Sequence, residues 1–191
     1  MTPQIDTMFT TSLYHNKLDF DLKDFCHNIQ KFHSQNNRSG VNSWQSENIV
    51  ETLPENFLKA LNNEIYEYSK FLKVKEKIVL HNVWLNVNKK GSYNLEHDHP
   101  NSFFSGVYYI NVPKNSGNIV FKHPSNTINH CWPDKDCFNE YNEFNGGEEI
   151  VNLENNQLLL FPSWLKHRVE ENKSDEDRIS LSFNCNFEVV C

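Results

Sequence analysis

The chain has 191 residues and a formal net charge of −7. That length suits one domain with a sizeable core. The charge argues against a general nucleic-acid binder, because phosphate contacts need clustered Lys and Arg. It leaves room for a small anion held by one buried Arg. No basic segment followed by an apolar core opens the chain, and no apolar run approaches the ~20 residues that span a bilayer. The expectation is a soluble protein of the cytoplasm. Cys26, Cys131, Cys137, Cys185 and Cys191 are odd in number and form no C-x-x-C pair. They read as free thiols in a reducing compartment.

Met8–Tyr14 reads as a short first strand. Across Asp21–Phe32, Leu22, Phe25, Ile29 and Phe32 recur at helical spacing. Ser34–Ser43 is polar, holds Gly40 and reads as a loop. Pro54 opens a second helix, and Phe57, Leu58, Leu61, Ile65, Tyr68 and Leu72 form its packing stripe. From Ile78 the period drops to two. Trp84, Asn86 and Asn88 share one face of a strand over Ile78–Asn88, and Val83, Leu85 and Val87 share the other. Lys89-Lys90-Gly91 is a turn, and Tyr93–His99 and Phe103–Val112 are the next strands. Asn115-Ser116-Gly117 is a second turn before a strand over Asn118–Lys122. Residues 124–148 are polar and rich in Asn and Gly, an excursion fit for a lid or substrate wall. Glu149–Leu153, Gln157–Phe161, Lys166–Glu170 and Arg178–Val190 complete about eight strands. The predicted class is mainly β, a sandwich or barrel with the two helices packed on one outer face. The helical support covers about residues 1–76 and the β core about 77–191, together a single domain.

The histidines carry the first chemical signal. His97 and His99 lie two apart, so on one strand both imidazoles face the same way and can reach one metal ion. His167 follows Phe161-Pro162-Ser163-Trp164 at the start of a later strand. Three ligands on one face of a metal leave the opposite face open. An H-x-H pair alone is weak, since satisfied structural histidines are common. Asp98 could replace His99 as a ligand only through a bulge, because Glu96 and Asp98 point away on a regular strand. His81 and His123 read as surface or structural residues. His15, His27, His33 and His130 carry no pattern, and Trp84 and Trp164 read as core or pocket wall.

Arg178 adds the second signal. Arg178, Ser180 and Ser182 share one strand face, and Ile179, Leu181 and Phe183 share the other. An inward Arg is costly unless an anion meets it. A guanidinium fork holds a carboxylate, and a neighbouring hydroxyl can add a bond. The bland reading is an edge strand with its polar side in water.

The series H-D-H-P, S-G-V-Y-Y-I, L-L-L-F-P-S-W-L-K-H and R-I-S-L-S-F-N resembles the 2-oxoglutarate/Fe(II)-dependent oxygenase superfamily over about Val83–Phe187. More closely it resembles a branch common in marine bacteria and their phages, for which the location would be the host cytoplasm. The resemblance implies a double-stranded β-helix, or jelly roll. It implies that His97, His99 and His167 hold Fe(II), with His99 where the superfamily usually has Asp or Glu. It also implies that Arg178 and Ser180 bind the far carboxylate of 2-oxoglutarate, that Tyr109 shares it, and that Asn86 lies near the co-substrate. The implied reaction consumes dioxygen, releases succinate and CO2 and hydroxylates a C–H bond of an unidentified substrate. A homodimer is compatible with the sequence. Two rivals stay open here: a three-His cupin-like dioxygenase that does not use 2-oxoglutarate, and a non-enzymatic jelly-roll binding module.

Overall fold

The structure is a computed structural model that describes residues 3–35, 40–125, 131 and 138–188. His130, Cys137, Cys191 and much of the 124–148 excursion lie outside the described residues. In chain order the elements are β1 (Tyr14–Lys17), α1 (Lys23–Phe32), β2 (Gly40–Val41), β3 (Trp44–Gln45), a 3-10 turn (Val50–Thr52), α2 (Glu55–Phe71), β4 (Ile78–Asn88), β5 (Tyr93–His97), β6 (Phe104–Asn111), β7 (Ile119–Lys122), β8 (Glu148–Val151), β9 (Gln157–Pro162), β10 (His167–Val169) and β11 (Arg178–Phe187).

The strands form two antiparallel sheets. One has six strands in the order β1-β9-β6-β11-β4-β3, and the other has five in the order β2-β5-β10-β7-β8. Neighbours far apart in sequence, such as β4 beside β11 and β5 beside β10, make this a mainly β jelly roll. The period-two alternation decides the packing. Val83, Leu85, Val87, Leu181 and Phe183 face outward from the six-stranded sheet and pack with Leu22, Cys26 and Ile29 of α1 and Phe57, Leu61, Ile65 and Tyr68 of α2. The Phe57 and Tyr108 rings lie 5.1 Å apart, as do those of Tyr68 and Phe104. Val107, Tyr109, Leu159 and Phe161 face the other way and meet Ile119 and Phe121 of the five-stranded sheet. The inner faces of the two sheets therefore share an apolar floor, and the polar alternates of β4 and β11 stand above it.

Three local expectations fail. Met8–Leu13 is not a strand: Phe9 has φ +57 and is almost fully exposed, and pairing with β9 starts only at Tyr14. A non-glycine residue in the left-handed region interrupts extended pairing. The segment before Ser43 is not all loop, since Gly40–Val41 pairs with β5 and Trp44–Gln45 pairs with β4. Asn42, at φ +55, turns the chain from one sheet to the other between them. Two-residue strands show no alternation, so the sequence pattern does not reveal them. The third exception is His99, which lies beyond the end of β5.

Candidate active site

β5 and β10 are antiparallel neighbours, and His167 is the register partner of His97. Their ring centroids are 4.5 Å apart, and the His99 ring lies 5.0 Å from His97 and 5.2 Å from His167. One ligand atom from each imidazole lies within 4.8 Å of the other two. Among the described residues this is the single such group of His, Cys, Asp or Glu. The backbone N–H of His99 donates to Ser163 O at 2.9 Å. The turn after β9 thus places this third ring, and strand alternation does not.

Backbone carbonyls fix the tautomers. His97 Nδ1 lies 2.7 Å from Leu95 O, and His167 Nδ1 lies 2.9 Å from Leu165 O. A carbonyl only accepts, so each Nδ1 carries the proton and each Nε2 keeps a lone pair for a cation. Burial, then the charge on His97, pushes His99 down to about 4 and His167 down to about 3. Both are neutral bases at pH 7, the form a metal ligand needs. Asp98 does not belong to the converging group, and Glu96 pairs with Lys122 at 3.3 Å.

Arg178 opens β11 opposite Asn88, and Ser180 lies between Asn86 on β4 and Tyr109 on β6. Arg178 is 1% exposed. Its Nη1 donates to Ser116 O and, at 3.2 Å, to Glu170 O. Its Nη2 is buried without a hydrogen-bond partner among the described residues. Burial pushes the guanidinium below its usual range and the Tyr109 hydroxyl above its own. The edge-strand reading of Arg178 is thereby excluded. The guanidinium is divided: Nη1 is bonded to the protein, and Nη2 has no partner among the described residues.

All seven candidate residues, His97, His99, His167, Arg178, Ser180, Tyr109 and Asn86, line one cavity between the sheets. Gln45 also lines it, a residue that no sequence pattern singles out. Its Nε2 donates to Asn86 Oδ1 at 2.7 Å, and Asn86 Nδ2 donates to Ser182 Oγ at 2.9 Å. Asn86 is thus locked as a wall. Trp84 lines the cavity too, with its ring 5.8 Å from that of His99. Trp164 is 54% exposed and belongs to no core, while His81 and His123 line no part of the cavity.

The donor set fits the pair of ligands the sequence suggests. Neutral imidazoles suit a divalent transition metal, and an orphaned buried Nη2 suits a carboxylate. The family described as "Putative 2OG-Fe(II) oxygenase" matches residues 82–184. The chain belongs to this family. It is an oxygenase whose metal is Fe(II) and whose co-substrate is 2-oxoglutarate. That membership sets aside both rivals, the cupin without 2-oxoglutarate and the non-enzymatic module. No curated protein matches the chain. Solved structures share the fold. A prolyl-4-hydroxylase from Pseudomonas putida aligns with TM-score 0.67 and 14% identity over 94% of this chain and 95% of its own. The non-heme alpha ketoglutarate dependent epimerase SnoN from nogalamycin biosynthesis aligns with TM-score 0.67 and 15% identity over 93% and 77%. HygX from Streptomyces hygroscopicus, solved with nickel and 2-oxoglutarate, aligns with TM-score 0.64 and 11% identity over 93% and 83%. Among the described residues no helix is long and apolar enough to cross a membrane.

Proposed function

We propose that this chain, acting as one domain, hydroxylates a C–H bond of its substrate, with His97, His99 and His167 holding Fe(II) and Arg178, Ser180 and Tyr109 holding 2-oxoglutarate. The observation that carries the reading is the unpartnered Nη2 of buried Arg178 in the cavity that the three histidines line. When bound, Fe(II), 2-oxoglutarate and dioxygen supply the oxidising power, releasing succinate and CO2. The protein's residues do the rest. The Leu95 and Leu165 carbonyls hold the two imidazoles with Nε2 presented. Ser116 O and Glu170 O hold Nη1, so Nη2 is fixed before any ligand arrives. Ser180 Oγ and the Tyr109 hydroxyl, both buried beside it in register, add donors for the same carboxylate. Val107, Ile119 and Phe161 exclude water from the floor.

The test is anaerobic addition of Fe(II) and then 2-oxoglutarate to the purified protein. A visible charge-transfer band that needs both additions is expected. Iron binding without such a band, or with one unaffected by 2-oxoglutarate, would overturn the co-substrate assignment. Succinate release in air, measured with candidate substrates, then follows the second half of the reaction.

A further inference from the structure

A second, larger cavity opens beside the first and shares Gln45, Trp84, His97 and His99 with it. Arg178, Ser180 and Tyr109 do not line it. It therefore meets the histidines from the side away from the co-substrate anchor, where a molecule oxidised at the metal has to sit. Its charges are one-sided: among the described residues it is lined by the carboxylates of Glu47 and Asp98 and by no Lys or Arg.

We propose that this outer cavity is the primary-substrate site and that it selects a positively charged, amine-bearing substrate through Glu47, Asp98, Asn82 and Trp84. The proposal rests on the oxygenase reading above. A phosphate or carboxylate substrate would meet two like charges and no cationic fork. An ammonium meets the opposite field. Glu47 accepts a bond from His33 Nδ1 at 3.2 Å through Oε1, and its Oε2 has no partner among the described residues. Asn82 provides an independent sign. Its Oδ1 is buried and accepts no hydrogen bond among the described residues. A buried acceptor left unmatched is costly until a donor arrives, and an N–H of the substrate is such a donor. Trp84 forms part of the wall between the two cavities. An indole face attracts a cation, best of all when water is excluded. Charge, an unmatched acceptor and an aromatic wall thus point to one chemistry.

The experiment uses the whole protein loaded with Mn(II) and 2-oxoglutarate, and a mixture of capped lysine, glutamine and glutamate (N-acetyl, N-methylamide) as probes. Paramagnetic relaxation of each probe's protons reports residence beside the metal. The lysine side-chain protons are expected to relax several-fold more than those of glutamate. The Glu47→Gln/Asp98→Asn double variant is expected to erase that preference. Asn82→Ala should weaken the lysine effect, and Asn82→Asp, which puts a charge on the same acceptor, should strengthen it. Glutamate relaxing as strongly as lysine, or a lysine preference that survives in the double variant, overturns the substrate class. Relaxation of water protons reports Mn(II) binding separately. If that is absent, the metal site and the oxygenase reading beneath it fall together.

Discussion

One guanidinium at Arg178 serves two masters. Nη1 is tied to the Ser116 and Glu170 carbonyls, and Nη2 is buried with no partner among the described residues. Removing a charged partner from a buried carboxylate pair costs roughly 2–5 kcal/mol. Arg178→Ala should therefore weaken 2-oxoglutarate by about 30-fold or more while Fe(II) still binds. Arg178→Lys should recover only part, because one ammonium cannot hold the two carbonyls and the ligand at once. Titration of the anaerobic Fe(II) protein, followed at its charge-transfer band, reads the difference; unchanged affinity would make Arg178 a fold residue. The histidines make a second prediction at this scale. His97→Ala and His167→Ala should each lose stoichiometric iron. His99→Asp should keep it, since a carboxylate replaces an imidazole of similar reach. Asp98→Ala should keep it as well. Iron content after anaerobic loading checks all four together with His99→Ala, and loss in Asp98→Ala with retention in His99→Ala would replace the three-histidine set.

The turn between β6 and β7 shows how an element supports a residue. Gly117 has φ +81, and a Cβ there would lie 2.7 Å from the backbone O of Glu170. Ser116 on one side of that contact and Glu170 on the other are the residues whose carbonyls hold Arg178 Nη1. Gly117→Ala must therefore push the turn away from the segment after β10. Left-handed strain of roughly 1–2 kcal/mol adds to the clash. The expected result is a lower thermal midpoint and a 2-oxoglutarate affinity that falls more than Fe(II) affinity does, by the same titrations. An equal change in both affinities would mean that the turn does not tune the arginine. β11 was legible because its ten residues alternate between polar and apolar, and β4 because Val83, Leu85 and Val87 alternate with Trp84, Asn86 and Asn88. The resemblance assigned Asn86 and Ser180 on their polar faces to the co-substrate site, and both line the cavity. Gly40–Val41 and Trp44–Gln45 were not legible, because two residues define no period. Gln45, which locks Asn86, was missed for the same reason. His99 was assigned to the right cluster for an incomplete reason: its strand stops at His97, and a hydrogen bond to the distant Ser163 places it. Local alternation does not encode such long-range backbone bonds.

Across the whole molecule, folding gathers three histidines from two neighbouring strands and a turn into a largely buried cluster before any metal is bound. The sequence revealed the membership of this cluster. It did not reveal the energetic consequence, because burial depends on what the other sheet brings. His99 and His167 are pushed from an ordinary 6.5 to about 4 and about 3, chiefly by burial. The sign follows from proton linkage. Above pH 6.5 neither state binds these protons, and stability does not depend on them. Below 6.5 the unfolded chain takes them up while the folded chain refuses, so stability falls as pH falls. For each histidine the fall continues until its folded value is reached, near 4 for His99 and near 3 for His167. The slope is about 1.4 kcal/mol per pH unit for each fully differentiated histidine. Metal-free protein should thus lose stability in urea between pH 6.5 and 5, above the range where most carboxylates titrate. The His99→Asn/His167→Asn variant should show a much flatter profile over that window. Fe(II) under anaerobic conditions should raise stability at pH 7, because a ligand that binds only the folded state stabilises it by mass action. Protonation of His99 and His167 in the unfolded chain lowers the baseline stability but not this increment, since both stay neutral in the folded chain down to about 4 and about 3. A profile in the metal-free protein that keeps its full slope after both substitutions would place the pH sensitivity elsewhere in the fold and remove the buried cluster as its cause.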